Sequence, residues 1–568
     1  MNTEITFPVV LAPPTHIGGA ICPEIVTDFD VLLGLADSWS RLWSDNSSAT
    51  IFQSLPWIRA WWKAFGKHLI LCTPVVREGS EVVGILPLVR SGNVVRFVGT
   101  PGADYCDILS EEHRARQVID AALRSLFNMD GWRTCKLTNL RDDSLFVRYS
   151  RDLPTDILQY MHTQSDTCRS GLVLEGDRNA VIDAIRRKPA LRRHRNKLQK
   201  TGNVRFCHLD QRAQMHRYLD TLFQQHIGRR AMANESSQFL SPEWREFYHA
   251  MVDELNPRNE VRFSILELDG RTIACHFGFE CKGSLILYKP TFDVDVWDLS
   301  PGDVLLSELL AYARERQLNE VDFTVGRESY KEHFTNQSRD MYCTVLYPRD
   351  FWADFRRIFQ PLSAQLSDWV AMTGVKHGAA RSMRWVRERY REFSVATSLQ
   401  RIWRPGLFYV HTTSSAKCDT NIDPTARPAM FSDITGMAMQ YPHSINAKSL
   451  QIYLARLHRG DRCYLIRSDD CESIGWVRSV IVPNPSDTTG QPKPVALLYD
   501  FCALGNTSQD PISSDLLDWF VLYAENKGSV ACVRIPRLDF ASRAVIKKAG
   551  FAPWADAQWA EEQQVCNR

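Results

Sequence analysis

A short loop in the middle of the chain has the sequence features of an anion-binding helix start. It begins at Asp298 and continues through Ser300, Pro301 and Gly302. Free backbone N–H groups at the start of a helix bind anions, and a glycine lets a pyrophosphate approach without a Cβ in the way. A proline at the first helical position presets the turn without losing a needed donor. The pattern is therefore that of a phosphate site, with an ordinary helix N-cap and turn as the alternative.

The elements predicted around this loop form one α/β unit. Residues 261–279 alternate between apolar and polar types about the turn at Asp269-Gly270, which predicts a β-hairpin. A strand at Ser284–Thr291 follows, and after the loop come a helix from Pro301 to Arg316 and a strand at 321–325. The loop therefore connects a strand to the helix that would pack on the sheet.

This order of helices, hairpin, strand, helix and strand recurs three times, so the sequence predicts an α/β (α+β) protein of several units. Domains usually contain about 100–200 residues, and a chain of 568 residues agrees with such a division. The predicted parts are an N-terminal unit at 1–165, a second unit at 166–347, a helical connector and linker at 348–410, and a C-terminal unit at 411–568.

The composition is that of an ordinary globular protein, with 44% apolar and 24% charged residues. Lys and Arg total 68 against 66 Asp and Glu, so no overall charge attracts the protein to nucleic acid, and no DNA partner is expected. The 15 cysteines include no Cys-x-x-Cys pair, and no metal is expected. The N-terminus has no signal-peptide pattern and no segment reaches the ~20 apolar residues of a membrane span, which predicts a cytoplasmic location.

Residues 264–335 resemble a known family. They read SILELDGRTIACHFGFECKGSLILYKPTFDVDVWDLSPGDVLLSELLAYARERQLNEVDFTVGRESYKEHFT. The segment resembles the acetyltransferase domain of bacterial proteins associated with cellulose and exopolysaccharide biosynthesis, the CelD/BcsL type of the GNAT superfamily. Upstream motifs extend the resemblance over about residues 45–345, namely Trp57-x-x-x-Trp61, Ile85-Leu86-Pro87-Leu88, Asp104-Tyr105 and LFQQHIGRR from Leu222. That family is similar to the Fem aminoacyltransferases, which pair two acetyltransferase-like folds.

The resemblance implies tandem acetyltransferase (GNAT-like) folds with mixed central sheets flanked by helices. It also implies that acetyl-CoA, or another acyl-CoA, enters where two strands of a sheet part. By position, the pyrophosphate of the donor would meet the backbone of Ser300, Pro301, Gly302, Asp303, Val304 and Leu305. The acceptor would lie near Asp104, Tyr105, His276, Tyr288, Lys289 and Glu328, and Lys331 could hold a phosphate or carboxylate or be a solvated lysine.

Acyl transfer requires a base that takes a proton from the acceptor. His276 is one candidate because an imidazole titrates near neutrality, and Glu328 and Tyr330 are rivals. Each has a structural alternative: a hydrogen-bonded strand histidine, an acid at a helix N-terminus, and a core aromatic. No Gly-x-Ser-x-Gly motif is present, which agrees with direct transfer without a covalent enzyme intermediate.

Two basic segments and the C-terminal unit leave alternatives open. The run from Arg186 to Lys197 could clamp CoA phosphates or an RNA-borne substrate, or could be a solvated helix face. The basic stretch 381–391 could rest on an anionic membrane surface or be a plain surface helix. The segment ending in Gly550-Phe551 also resembles the superfamily, but residues 505–511 lack the closely spaced glycines of a phosphate loop. A structural or acceptor-presenting role for this unit is equally open.

These features predict an acyl-CoA-dependent N- or O-acyltransferase that acts by direct transfer on a sugar, a polysaccharide precursor or a similar amine or hydroxyl. The expected partner is a small-molecule or saccharide acceptor, with a peripheral association with membrane biosynthetic machinery. One alternative is a Fem-like aminoacyl-tRNA-dependent transferase, the case in which RNA is a partner. The other is a non-catalytic partner of a polysaccharide synthase.

Overall fold

The computed structural model describes residues 21–349 and, in the C-terminal part, residues 407–411, 426–442, 444–467, 472–482, 493–504, 514–527, 529–535 and 540–553. Most of the connector predicted at 348–410, the basic stretch at 381–391 and the loop at 505–511 lie outside these residues. No helix in the described ranges is long and apolar enough to cross a membrane.

The first part of the chain contains eight strands and six α-helices within residues 21–158. The strands are β1 Ile21–Val26, β2 Ile70–Leu71, β3 Thr73–Glu78, β4 Glu81–Ile85, β5 Leu88–Ser91, β6 Val94–Phe97, β7 Leu109–Ser110 and β8 Thr134–Arg141. The helices are α1 Phe29–Leu33, α2 Ala36–Asp45, α3 Leu55–Phe65, α4 Ala115–Phe127, α5 Leu145–Ser150 and α6 Thr155–Leu158.

The second part, within residues 161–346, contains the predicted hairpin and the helix after the candidate phosphate loop. Its strands are β9 Met161–Val173, β10 Val204–Leu209, β11 Val261–Leu268, β12 Arg271–Cys281, β13 Ser284–Phe292, β14 Glu320–Val325 and β15 Gln337–Leu346. Its helices are α7 Arg178–Arg186, α8 Pro189–Thr201, α9 Arg212–Met232, α10 Pro242–Leu255 and α11 Pro301–Glu315. Short 3-10 turns cover Val294–Leu299 and Ser329–His333.

The described C-terminal residues form a further layer of strands and helices. The strands are β16 Leu407–His411, β17 Arg427–Pro428, β18 Arg462–Arg467, β19 Glu472–Val482, β20 Lys493–Leu504, β21 Val530–Ile535 and β22 Phe551–Pro553. The helices are α12 Phe431–Gln440, α13 Ala447–His458, α14 Ser514–Asn526 and α15 Phe540–Lys548. Asp295 of the second part accepts the N–H groups of Phe431 and Ser432 at 3.1 and 3.2 Å, so its carboxylate caps the start of α12.

Three sheets organise the described elements, of which two are mixed and the four-stranded one is antiparallel. Strands of the first two parts form an eleven-stranded sheet in the order β10-β11-β12-β13-β14-β9-β15-β8-β6-β5-β2, beside a four-stranded sheet β1-β3-β4-β7. The described C-terminal strands pair in the order β17-β18-β19-β20-β21-β16-β22. In each part a hairpin strand pairs in parallel with the strand that follows a helix, as in β6 with β8, β13 with β14 and β20 with β21. The predicted fold class, tandem mixed sheets flanked by helices, is confirmed.

Aromatic side chains join the first two parts. The ring of Trp57 on α3 lies 5.1 Å from Phe247 on α10 and 5.7 Å from Tyr288 on β13, measured between ring centroids. Edge-to-face packing of buried rings stabilises such contacts beyond the burial of their area. The two parts therefore share one core, and this core fixes β13 relative to the first part.

The sequence predicts a single helix over residues 179–202 that ends at a glycine suited to a left-handed cap, and both predictions were wrong. The helix expected over residues 179–202 is divided into α7 and α8, because Pro189 cannot continue the preceding helix and begins a new one. Gly202 is extended, with φ 177°, and is not a left-handed cap. A Cβ at this position would lie 2.1 Å from the Asp269 carboxylate, so the glycine is needed for close packing.

Candidate active site between the first two parts

The central feature of the second part is the separation of β13 from β14. The two strands pair in parallel only at Ser284–Ile286 with Glu320–Asp322. Beyond that point β14 turns away, since Thr324 has φ +58° and Gly326 has φ +127°. A positive φ is uncommon for a β-branched residue, and strain of this kind is concentrated at functional sites. The sheet is therefore open at the end from which the chain leads to α11.

A loop of the first part lies across this opening. The Tyr288 hydroxyl on β13 donates to the carbonyl of Gly102 at 2.7 Å. On the other side, the Tyr105 hydroxyl donates to Asp322 Oδ1 on β14 at 2.6 Å. The same oxygen accepts the N–H of Thr324 at 2.7 Å, which stabilises the turn in β14. Residues 102–105 thus connect the two separated strands, and the predicted residues Tyr105 and Tyr288 position this loop.

Beside the loop is a cavity of about 590 Å³ that both parts line. The first part contributes β6, the loop around residues 100–104 and β8. The second part contributes β13, the segment before α10 and the first turn of α10. The lining residues that bear on the chemistry are Arg96, Asp104, Lys136, Gln238, Trp244 and Lys289. Three of the residues predicted to bind the acceptor, Asp104, Tyr288 and Lys289, therefore face one common space.

Asp104 and Lys289 perturb each other's protonation. Burial raises the pKa of Asp104, and the charges of Lys289 and Lys331 and a hydrogen bond from Thr324 oppose that rise only in part. Burial also lowers the pKa of Lys289, against the attraction of Asp104. The Lys289 ammonium lies 4.6 Å from the centroid of the Tyr288 ring. A carboxyl group with a raised pKa at the edge of a cavity is suited to accept a proton from a ligand.

The predicted residues Glu328, Tyr330 and Lys331 lie in the segment after β14. Lys331 is buried, and its Nζ donates to Glu328 Oε2 at 2.9 Å and to the Val325 carbonyl at 3.0 Å. Lys331 therefore stabilises the turned end of β14. This ion pair and the hydrogen bonds of Glu328 outweigh desolvation, so the pKa of Glu328 is lowered. Burial raises the pKa of Tyr330.

Arg229, on α9, lies between the ends of the separated strands. Its guanidinium carbon is 5.9 Å from the ring of Phe292 at the end of β13 and 5.9 Å from the ring of Tyr330 after β14. Its Nη1 donates to the carbonyl of Pro290 at 2.6 Å. Arg229 is a functional candidate that sequence reasoning did not select, although it belongs to the LFQQHIGRR motif.

The structure does not bring His276 to this site. Its side chain is 0% exposed within the sheet, and neither ring nitrogen has a hydrogen-bond partner among the described residues. Burial lowers the pKa of His276 to about 3. The imidazole is thus neutral at physiological pH but has no route to a ligand in the cavity. In the sequence, His276 alternates with the apolar residues of β12, which predicted that its side chain faces solvent. In the structure both faces of this sheet are covered, so the side chain is buried.

The start of α11 agrees only partly with the predicted pyrophosphate site. Ser300, Gly302 and Asp303 reach the surface, whereas the side chains of Pro301, Val304 and Leu305 are buried. The N–H groups of Asp303 and Val304 both donate to the Ser300 carbonyl, at 3.2 and 3.4 Å. A Cβ on Gly302 would lie 3.3 Å from the Phe292 ring, so the glycine also serves packing.

Cations for a phosphate group come from α8, beside the start of α11. His194 Nδ1 lies 2.9 Å from Asp303 Oδ2, and Lys197 donates to the Asp298 carbonyl at 2.8 Å. These contacts place the exposed basic face of α8 next to the loop before α11. That face lines a groove of about 510 Å³ formed by Pro189, Arg192, Arg193, Asn196, Lys197 and Lys200. The residues present therefore fit a donor with several phosphates. The side-chain cations of α8, more than free backbone N–H groups at the start of α11, are available to bind these phosphates.

Comparison with known proteins identifies the second part. Residues 186–332 match a family model described as an acetyltransferase (GNAT) domain. This segment is a GNAT domain. The resemblance to the CelD/BcsL type drawn from the sequence is thereby confirmed for these residues. The GNAT domain contains β13, β14, α8 and α11, and therefore both sides of the opening described above.

Solved structures similar to this chain include FemX, at 9% identity over 54% of this chain and 95% of that chain, with a TM-score of 0.39. A tandem GNAT protein from the clavulanic acid biosynthesis pathway is 14% identical over 57% of this chain and 97% of that chain, with a TM-score of 0.34. A GCN5-related N-acetyltransferase from Sphaerobacter thermophilus is 11% identical over 57% and 94%, with a TM-score of 0.27. At these TM-scores the likenesses carry no further argument. No curated protein matches the chain.

Proposed function

We propose that this protein transfers an acyl group, most simply acetyl, from an acyl-CoA to an amine or hydroxyl acceptor bound in the cavity between the first two parts. The observation that carries the proposal is the separation of β13 from β14, with Asp104 held in the opening by a loop of the first part. A GNAT domain covers both strands, which makes a CoA thioester the expected donor. A sugar or polysaccharide precursor remains the proposed acceptor class.

In the proposed reaction, Asp104 accepts the proton of the acceptor amine or hydroxyl. The thioester supplies an activated carbonyl carbon, to which the acceptor forms its new bond while the bond from carbon to sulfur breaks. The departing thiolate takes the proton held by Asp104 or one from water and leaves as the thiol. Lys289, beside Asp104, can stabilise the negative charge that develops on the carbonyl oxygen. Tyr105 and Tyr288 act as positioning residues, because their hydroxyl groups hold the loop that carries Asp104.

The phosphates of the donor are assigned to the basic groove on α8 and to Arg229. Arg193 and Lys200 in the groove are exposed and form no ion pair within the described residues, so they are available to an anion. Arg229 lies where the strands separate, near the rings of Phe292 and Tyr330. The proposed path of the donor therefore runs from α8 past the start of α11 to the cavity.

Donor binding is tested by thermal melting of the full chain with a panel of CoA thioesters. At ligand one hundred times its dissociation constant, a true site adds about 2.7 kcal/mol to the free energy of unfolding. Arg193→Gln/Lys200→Gln should reduce the shift strongly. A matched control, Lys63→Gln/Arg116→Gln on exposed positions of the first part, should retain it. A wild-type protein that no thioester stabilises would contradict the proposal and favour a non-catalytic role in a polysaccharide synthase assembly.

The exposed cations of α8 also support a second candidate, a Fem-like transferase whose donor is an aminoacyl-tRNA. Phosphate contacts by Lys and Arg make RNA binding fall steeply with salt concentration. The two candidates are separated by titrating tRNA and acetyl-CoA at several salt concentrations. Tight, salt-dependent binding of tRNA, lost in Arg193→Gln/Lys200→Gln, together with no thermal shift by any thioester, would favour the RNA-borne donor.

A further inference from the structure

The wall of the cavity between the first two parts is cationic. Arg96 on β6 and Lys136 on β8 line it from the first part, and Lys289 lines it from the second. Asp104 is the one acidic residue among the described residues that line this cavity. At neutral pH the wall therefore has an excess of positive charge, although the charges of the whole chain nearly balance. Such a local excess attracts an anionic ligand.

Two donor atoms in this wall have no partner. Arg96 Nε and Gln238 Nε2 are buried and donate to no group in the described part of the chain. A buried donor left unsatisfied destabilises a protein, and most native donors are paired. Burial also lowers the pKa of Arg96, which indicates that the guanidinium has no compensating acid nearby. Both donors lack the acceptor oxygens that a ligand would bring.

The rest of the wall is suited to the body of such a ligand. Trp244, Pro101 and Tyr288 provide apolar surface in the same cavity. Thr138 and Asn139 add polar groups near Lys136. Asp104 lines the cavity as well, so a ligand could reach Asp104 with one group and the cationic wall with another. A volume of about 590 Å³ is sufficient for a small metabolite.

We propose, building on the acyl transfer proposed above, that the acceptor carries a phosphate or carboxylate group besides its reactive amine or hydroxyl. The anionic group binds to Arg96, Gln238 and Lys136 on one side of the cavity, while the reactive group faces Asp104. Guanidinium groups recognise carboxylates and phosphates through paired hydrogen bonds, and bonds to charged groups are about twice as strong as neutral ones. Arg96 would thus select acceptors that carry an anionic group.

The test measures binding without any donor, so that it is independent of acyl transfer. The full chain is titrated with inorganic phosphate, citrate, glucosamine 6-phosphate and glucosamine, and the melting temperature is recorded. Wild type should be stabilised by at least one of the anions and more by glucosamine 6-phosphate than by glucosamine. Stabilisation by inorganic phosphate indicates a phosphate ligand, and stabilisation by citrate indicates a carboxylate ligand. Arg96→Gln should weaken the apparent affinity at least tenfold, and Lys136→Gln, on an exposed residue, should weaken it without affecting folding.

Two control variants locate the anion. Arg116→Gln, on the surface of α4, should leave the titration unchanged, and the stronger effect of glucosamine 6-phosphate over glucosamine should persist in Arg193→Gln/Lys200→Gln, whose cations we assign to the donor. The proposal is overturned if no anion stabilises wild type, or if the stabilisation survives Arg96→Gln and Lys136→Gln but is lost with the α8 variant. Acetyl-CoA melting curves on Arg96→Gln separate the two proposals. If acetyl-CoA raises the melting temperature but no anion does, the proposal of an anionic acceptor is refuted and the proposal of acyl transfer is not.

Discussion

The hydrogen bond between Tyr105 and Asp322 offers a quantitative test of the way the first part closes the opening in the GNAT domain. The oxygen atoms are 2.6 Å apart, and the two side chains are only 1% and 3% exposed. Tyr105→Phe removes the donor and leaves the ring in place. Because hydrogen bonds to charged groups contribute about 1.5–3 kcal/mol, the free energy of unfolding should fall by that amount.

The size of the effect follows from what remains around Asp322. Its Oδ1 keeps the N–H of Thr324 at 2.7 Å, so the carboxylate is not left wholly unpaired. The loss should therefore remain within this range and not reach the larger cost of an isolated buried charge. A double-mutant cycle with Asp322→Asn isolates the pair, and its coupling energy should be about 0.5–3 kcal/mol for residues in contact.

The assay is urea unfolding followed by tryptophan fluorescence, with Tyr149→Phe as the matched control. Tyr149 also donates to a carboxylate, Glu112 Oε1 at 3.1 Å, but at the protein surface. Its substitution should leave the unfolding midpoint unchanged, because water replaces the lost bond. If Tyr105→Phe is as stable as Tyr149→Phe, or if the cycle gives no coupling, the proposed connection between the loop and β14 is refuted.

Further outcomes are expected at Asp104, His276 and Gly278. Asp104→Asn should lower the rate of thiol release from the thioester by about two to four orders of magnitude. The stability of Asp104→Asn relative to wild type should increase with pH above about 4, because an Asp with a raised pKa destabilises the folded state once it is ionised. Equal melting temperatures of the two proteins at all pH values would contradict this. His276, with a folded pKa of about 3, binds its proton only in the unfolded state between that pH and about 6.5, so stability should fall as pH falls through this window. The slope, up to about 1.4 kcal/mol per pH unit, should be reduced in His276→Met, and urea unfolding at pH 4–7 measures it. Gly278→Ala should destabilise the protein by more than about 2 kcal/mol, because its Cβ would lie 2.2 Å from the Ile286 carbonyl oxygen. Gly302→Ala, whose Cβ would touch only a ring edge at 3.3 Å, should be milder, and melting curves of equal midpoint would show that this packing argument fails.

The sequence predicted the elements of the GNAT domain well because each has a local cause. Alternation about Asp269-Gly270 specified the hairpin, and the observed strands are Val261–Leu268 and Arg271–Cys281. Pro301 marked the first residue of α11 as observed. Local pattern did not give the break at Pro189 in the basic helix, although the proline itself was the available signal. The four-part division of the chain stays a prediction.

The candidate site depended on contacts that no sequence window contains. Tyr105 and Asp322 are 217 positions apart, and the 2.6 Å bond between them exists only because the two parts share one sheet and one core. Residue types alone made His276 a plausible base, yet burial in a covered sheet lowered its pKa and closed its access. For Asp104 the same desolvation, beside a cavity, produced a group suited to take a proton.

The sequence by itself determined the family of the middle segment, the order of its strands and helices, and the identity of several polar residues, because these follow from local periodicity, turn residues and motif. Only the tertiary structure decided which of those residues meet, which face a cavity and which are sealed in the core. Desolvation and hydrogen bonding set the chemistry of an ionisable side chain, and both depend on neighbours that the fold, and not the adjacent sequence, provides.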